Sequence, residues 1–176
     1  MLKRNAVTVI KKYARNFGIS TFIETGTLYG AMIDAVKDDF EKIISIELDI
    51  KLANRARELF SKYGHITIIQ GDSGIVLKDV LADIDSPCIF WLDAHYSADK
   101  TARGKKDTPI MEELECIFNH SVKNHVILID DVIDFNGKND YPKLKELKNF
   151  ILKQRPGWNF IVKKDNIRKF IVCSGN

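Results

Sequence analysis

The stretch TFIETGTLYGAMIDAV, residues 21–36, decides how the rest of the chain is read. Phe22 and Ile23 form an apolar run that stops at Glu24-Thr25-Gly26-Thr27-Leu28-Tyr29-Gly30. After it the apolar spacing turns helical, with Met32, Ala35, Val36 and Phe40 on one face. A buried strand that ends in glycines and feeds straight into a helix is a candidate nucleotide-binding turn. The glycines let the backbone turn tightly and let a ligand approach it, and a helix start offers N–H groups that lack partners. The loop is neither GxGxxG nor a P-loop ending in GK[ST]. A plain strand-to-helix turn that needed two glycines is the competing reading.

Upstream, Val7, Ile10, Tyr13, Ala14 and Phe17 recur at helical spacing and are closed by Gly18, which predicts an N-terminal helix over residues 1–18 covering the sheet or the ligand pocket. Downstream, apolar runs at 42–47, 65–70, 88–92 and 126–129 alternate with helical patterns. Asp49 is placed to cap the helix after the second run, and Thr108-Pro109 reads as an N-cap followed by proline at the first helical position. The last two runs, Trp158 to Val162 and Lys169 to Cys173, are separated only by a polar turn about Asp165-Asn166. The expectation is an α/β fold: a doubly wound sheet of about seven strands, mostly parallel, with an antiparallel C-terminal hairpin strand. Residues 1–176 read as one domain.

Composition narrows the function classes. Hydrophobic residues are 45% and charged residues 29% of the chain, as in ordinary soluble proteins, and the net charge of +3 is too small to argue for nucleic acid. The basic groups around Lys3 to Arg15, Arg103 to Lys106 and Lys163 to Lys169 read as solvated surface. Three dispersed cysteines, Cys88, Cys116 and Cys173, give neither a disulfide framework nor zinc spacing. No run reaches membrane-spanning length and there is no leader-like apolar segment, so no membrane partner and a cytoplasmic location are expected.

Ligands of open α/β sheets sit beyond the carboxyl ends of the strands. Each of the first five strands ends in something acidic: Glu24, Glu47, Asp72, Asp93, and Asp130 with Asp131. Helix capping explains Asp49 and could explain Asp72 or Ser73, but not five successive strand ends. Glu47 follows the glycine loop by about twenty residues, the separation at which a carboxylate meets ribose hydroxyls.

The order of elements, the terminal hairpin and these strand-end residues resemble a class I S-adenosylmethionine-dependent methyltransferase over nearly the whole chain, which implies a Rossmann-like fold. The E-x-G-x-x-x-G pattern from Glu24 to Gly30 is similar to the first motif of its small-molecule O-methyltransferases. The resemblance implies S-adenosylmethionine held by Glu24, Gly26, Thr27, Gly30, Glu47, Asp72, Ser73 and Asp93. Gly26 and Gly30 would pass under the methionine part, Glu47 would hold the ribose, and Asp72 with Ser73 would lie beside the adenine.

Asp93-Ala94-His95, Asp130-Asp131 and Phe135-Asn136-Gly137 are also similar to the cation-dependent members, which implies Mg2+ on Asp93, Asp130 and Asp131. Asp131 stands where that subfamily has asparagine, and Tyr96 where it has a lysine base. The other reading has Asp93 on the cofactor or capping a loop, and Asp130 and Asp131 as solvated turn residues.

His95 is the candidate general base, with Asp93 as its catalytic neighbour, and could instead be a metal ligand or structural. Tyr96 and Arg103 fall in a loop that could close over substrate, and Arg103 could pair with an acidic group. His65, His120 and His125 lie at the opposite edge and receive no role. The expected activity is methyl transfer to a hydroxyl oxygen of a small molecule, such as a sugar or other hydroxylated metabolite, with a homo-oligomer allowed. An NAD-dependent oxidoreductase and a non-catalytic cofactor-binding module are the alternatives.

Overall fold

The central runs of this chain are apolar at nearly every position, so each strand has to be covered on both faces. The computed structural model describes residues 4–95, 104, 106–164 and 169–175, and it meets that demand with helices on either side of one sheet. The strands are β1 (Thr21–Thr25), β2 (Lys42–Glu47), β3 (Ile66–Gln70), β4 (Cys88–Leu92), β5 (Val126–Ile129), β6 (Asn159–Lys164) and β7 (Lys169–Ser174). Their order is β3-β2-β1-β4-β5-β7-β6, with the first five parallel and β7 antiparallel to both of its neighbours. The expected sheet and terminal hairpin are both present.

The helices are α1 (Arg4–Phe17), α2 (Ala31–Val36), α3 (Ile50–Leu59), α4 (Ser73–Ala82), α5 (Ile110–Asn119) and α6 (Leu144–Gln154). Alternate strand residues feed two cores. Phe22, Ile89, Trp91, Leu128 and Val172 pack with α1, α2 and α3, whereas Ile23, Phe90, Leu92, Ile127 and Ile171 pack with α4, α5 and α6. The period-two geometry of a strand thus sorts residues that are all apolar onto two faces. Cys88 and Cys173 are fully buried, and burial pushes both thiols up to about 12, consistent with small packing residues.

Several boundaries differ from those the spacing predicts. α2 stops at Val36, where a turn closed by Asp39 N–H on the Val36 carbonyl takes over, so Phe40 reaches the core from a loop. β3 begins at Ile66 rather than His65, and β6 is shifted to begin at Asn159. α5 begins at Ile110, one residue later than Thr108-Pro109 suggests. Thr108 still acts as a cap, because its Oγ1 accepts the Ile110 N–H at 3.3 Å. Asp49 caps α3 as expected, with Oδ1 accepting from the N–H groups of Lys51 and Leu52. Among the described residues, no helix is long and apolar enough to cross a membrane.

Candidate functional site

The site begins with strand register. Thr25, Ile46, Leu92 and Ile129 lie side by side across four parallel strands. The ladder continues one residue beyond them, with Gly26 N–H on Ile46, Asp93 N–H on Thr25 and Asp130 N–H on Leu92 carbonyls. The first residue past each strand is therefore held in a row along one sheet edge.

The glycine loop leaves that row between two polar networks on opposite faces. On the α1–α3 face, buried Ser45 donates its hydroxyl to Glu24 Oε2 at 2.7 Å and meets Thr27 Oγ1 at 2.6 Å. With the Ser45 proton committed to the carboxylate, Thr27 must be the donor in its own contact. Glu24 and Thr27 are thus internal supports of the loop, neither open to solvent. Glu47 pins the loop from β2: its Oε2 accepts the Leu28 N–H at 2.8 Å and its Oε1 accepts the Asp49 N–H at 2.9 Å. A carboxylate has about four lone-pair positions, so accepting two N–H groups leaves capacity for a diol. Leu28 takes a left-handed φ of 50°, the conformation a glycine would adopt freely, and the Glu47 bond holds it there.

Gly26, at φ 85°, sits where an added Cβ would come within 2.6 Å of the Asp93 carbonyl oxygen. This glycine is required by the close approach of the chain leaving β4, whatever ligand lies above. Gly30 ends the turn beneath the Phe60 ring, and its carbonyl accepts the Asp34 N–H of α2.

Beyond β4 and β5 lies a second group. His95 Nδ1 is 3.5 Å from Asp93 Oδ1, and His95 Nε2 is 3.2 Å from Asp131 Oδ2. Trp91 Nε1 also points to Asp93 Oδ2 at 3.4 Å. Among the described residues, Asp93, His95 and Asp131 offer ligand atoms that lie within 4.8 Å of one another, close enough to gather on one ion. Asp130 is outside that triplet and lines the cleft beside it. Neither aspartate is a solvated turn residue, since Asp130 is 5% and Asp131 9% exposed. The fold buries them because β5 is central and Asp131, at φ 50°, turns the chain back over the strand end.

The cleft here is bounded by Asp93, His95, Thr108, Glu113, Asp130 and Tyr141, with Phe135 and Ile110 among its apolar walls. Glu113 and Tyr141 carried no expected role, and Thr108 was expected only as a helix cap. Glu113 had a signal: it interrupts the apolar stripe Ile110, Leu114 and Ile117 of α5 with a charge. Burial pushes its carboxyl up to about 7; hydrogen bonds from Ser73 and Thr25 act the other way, and Asp72 and Glu112 push it further up. Burial, reinforced by Asp134, Asp131 and Asp93, holds the Tyr141 phenol well above its usual range, against a hydrogen bond with Thr108.

Asp72 and Ser73 stand at the start of α4. Asp72 Oδ1 accepts the Gly74 N–H at 3.0 Å, while the Ser73 hydroxyl turns inward to Glu113. Tyr96 and Arg103 lie outside the described residues. His65, His120 and His125 lie near the opposite ends of the strands, where His125 Nδ1 accepts the Cys88 N–H and Nε2 meets His120 Nδ1 at 3.1 Å.

No family model matches the sequence. A segment of 57 residues is 39% identical to the ribosomal RNA small subunit methyltransferase A of Acidobacterium capsulatum, which is 32% of this chain and about a fifth (20%) of that protein's length. Solved structures match over the whole chain. The O-methyltransferase from Bacillus cereus in complex with SAH has a TM-score of 0.72 at 15% identity, covering 100% of this chain and 83% of that one. The O-methyltransferase TomG from Streptomyces achromogenes, involved in tomaymycin synthesis and solved with SAM, gives 0.71 at 14%, covering 100% and 82%. The SAH-bound methyltransferase PaMTH1 from Podospora anserina gives 0.66 at 18%, covering 100% and 80%. The chain has the Rossmann-like fold of class I S-adenosylmethionine-dependent methyltransferases.

Proposed function

We propose that this chain is an S-adenosylmethionine-dependent methyltransferase acting on a hydroxyl oxygen of a small molecule, such as a sugar or another hydroxylated metabolite. The observation that carries the reading is one sheet edge holding both halves of the chemistry. A carboxylate-pinned glycine loop lies over β1 and β2, and a His–carboxylate cluster lies beyond β4 and β5. Glu47, with lone pairs left over, would take the ribose; the loop from Gly26 to Gly30 would cradle the methionine part; Asp72 and Ser73 would flank the adenine. A dinucleotide-binding sheet runs 3-2-1-4-5-6, whereas here antiparallel β7 separates β5 from β6, which disfavours the NAD reading.

The bound cofactor would supply a methyl group carried on a positively charged sulfur. Positioning is then the chain's main contribution, because the transfer is an in-line displacement. His95, flanked by Asp93 and Asp131, takes the proton released from the acceptor hydroxyl, and the two carboxylates stabilise the imidazolium that forms. Alternatively, the same three side chains fit a divalent cation, which would lower the pKa of that hydroxyl, and His95 would then be a ligand rather than the base. An imidazole in the set moves its preference from Mg2+ toward ions such as Zn2+ or Fe2+. Three dispersed cysteines that form no disulfide fit a cytoplasmic enzyme.

Isothermal titration with S-adenosylhomocysteine and with NAD tests the cofactor. Binding of the first, weakened about tenfold or more by Glu47→Ala, supports the reading; tight NAD binding alone sinks it. Transfer of labelled methyl to a panel of hydroxylated acceptors, abolished in His95→Ala, tests the chemistry.

A further inference from the structure

Glu113 is a buried ionisable group that the proposed chemistry does not use. It is 1% exposed on α5, in a stripe whose other members are apolar. Leaving a carboxyl there without hydrogen bonds would cost several kcal/mol, so its partners matter. Oε1 accepts the Ser73 hydroxyl at 2.6 Å. Ser73 opens α4 immediately after Asp72. The approach is tight: a Cβ on Gly74 would lie 3.1 Å from Pro109 Cβ and 3.3 Å from Glu112 Cβ. A single carboxyl on α5 therefore holds the turn after β3, where α4 begins.

We propose that Glu113 is a positioning residue for the cofactor pocket, clamping the start of α4 to α5 so that the turn after β3 presents its backbone to the adenosine without Glu113 touching it. The proposal rests on the S-adenosylmethionine reading. Ser73 cannot offer its hydroxyl proton to the adenine while it donates to Glu113, so its contribution is the position of its backbone. Glutamine at 113 has the same shape and can still accept from Ser73 through its carbonyl oxygen, whereas alanine removes the clamp and leaves the Ser73 hydroxyl without that partner.

Titration of the full chain with S-adenosylhomocysteine tests this in a double-mutant cycle. Ser73→Ala and Glu113→Ala are each expected to weaken binding about tenfold, and the double variant no more than either alone, because both break one connection. Glu113→Gln should bind within about threefold of wild type. A merely structural Glu113 would lower the melting temperature and leave the dissociation constant unmoved. Folded Glu113→Ala with wild-type affinity, or losses that add in the double variant, overturns the proposal. If Glu113→Ala does not fold, Ser73→Ala decides: wild-type affinity overturns the clamp and a tenfold loss sustains it. No binding by the wild-type chain overturns the cofactor reading and the clamp with it, whereas binding that the variants leave unchanged overturns the clamp alone.

Discussion

Glu113 should make this protein lose stability as pH rises through neutrality, and Glu113→Gln should remove that loss. Burial raises the carboxyl from 4.5 to about 7 in the folded chain. Between those values the folded state holds a proton that the unfolded state has released, so stability is fully present below about pH 4.5, falls as pH rises, and levels off above about pH 7. A shift of about 2.5 units at about 1.4 kcal/mol per unit gives roughly 3 kcal/mol, a large share of the 5–15 kcal/mol typical of a domain. Urea unfolding followed by circular dichroism, for wild type and Glu113→Gln from about pH 4.5 to about pH 8, measures it as a difference. Other titrating groups cancel in that difference, which isolates position 113. The variant should gain on the wild type up to about pH 7 and keep that gain above it. A difference that stays flat, or moves the other way, would refute the view that this carboxyl is buried without compensating positive charge.

Gly26→Ala places a methyl 2.6 Å from the Asp93 carbonyl at a positive φ, and should cost about 2–4 kcal/mol in thermal melts as well as abolish S-adenosylhomocysteine binding. His125 acts opposite in sign to Glu113: burial, with His120 beside it, lowers its pKa from 6.5 to about 4. Its contribution is present above about pH 6.5 and lost as pH falls toward about 4, up to roughly 3 kcal/mol, and the acid limb of the wild-type urea midpoint should flatten in His125→Asn. Asp49→Ala removes an acceptor shared by two N–H groups and should lower stability by about 1 kcal/mol with the fold unchanged by far-UV circular dichroism.

The alternation of apolar strands and amphipathic helices, the absence of a helix before β7, and the acidic strand ends were all legible in the chain. These depend on period and order, which are local properties of a sequence. Strand limits were legible to within a residue wherever an apolar run ended abruptly, as at Leu92 and Ile129. They slipped where a polar residue was neutral between strand and turn, as at His65. Glu47 was visible from its distance past the glycine loop, but its grip on the Leu28 N–H was not. That bond requires β2 to lie beside β1 in a particular register.

The sequence by itself determined the architecture, the edge of the sheet at which a ligand would lie, and most of the side chains present there, because strand direction and the last residue of each strand follow from the order of elements. Which of those side chains meet was decided only in three dimensions. Asp131, rather than Asp130, faces His95; Ser73 turns away from the edge toward Glu113; and Gly26 answers to the backbone of Asp93, sixty-seven residues on. Each of these contacts joins segments distant along the chain, and side-chain direction past a strand end is set by local turns such as the left-handed residue at Asp131. Composition and spacing carry no information about such directions, whereas the packed sheet leaves only one.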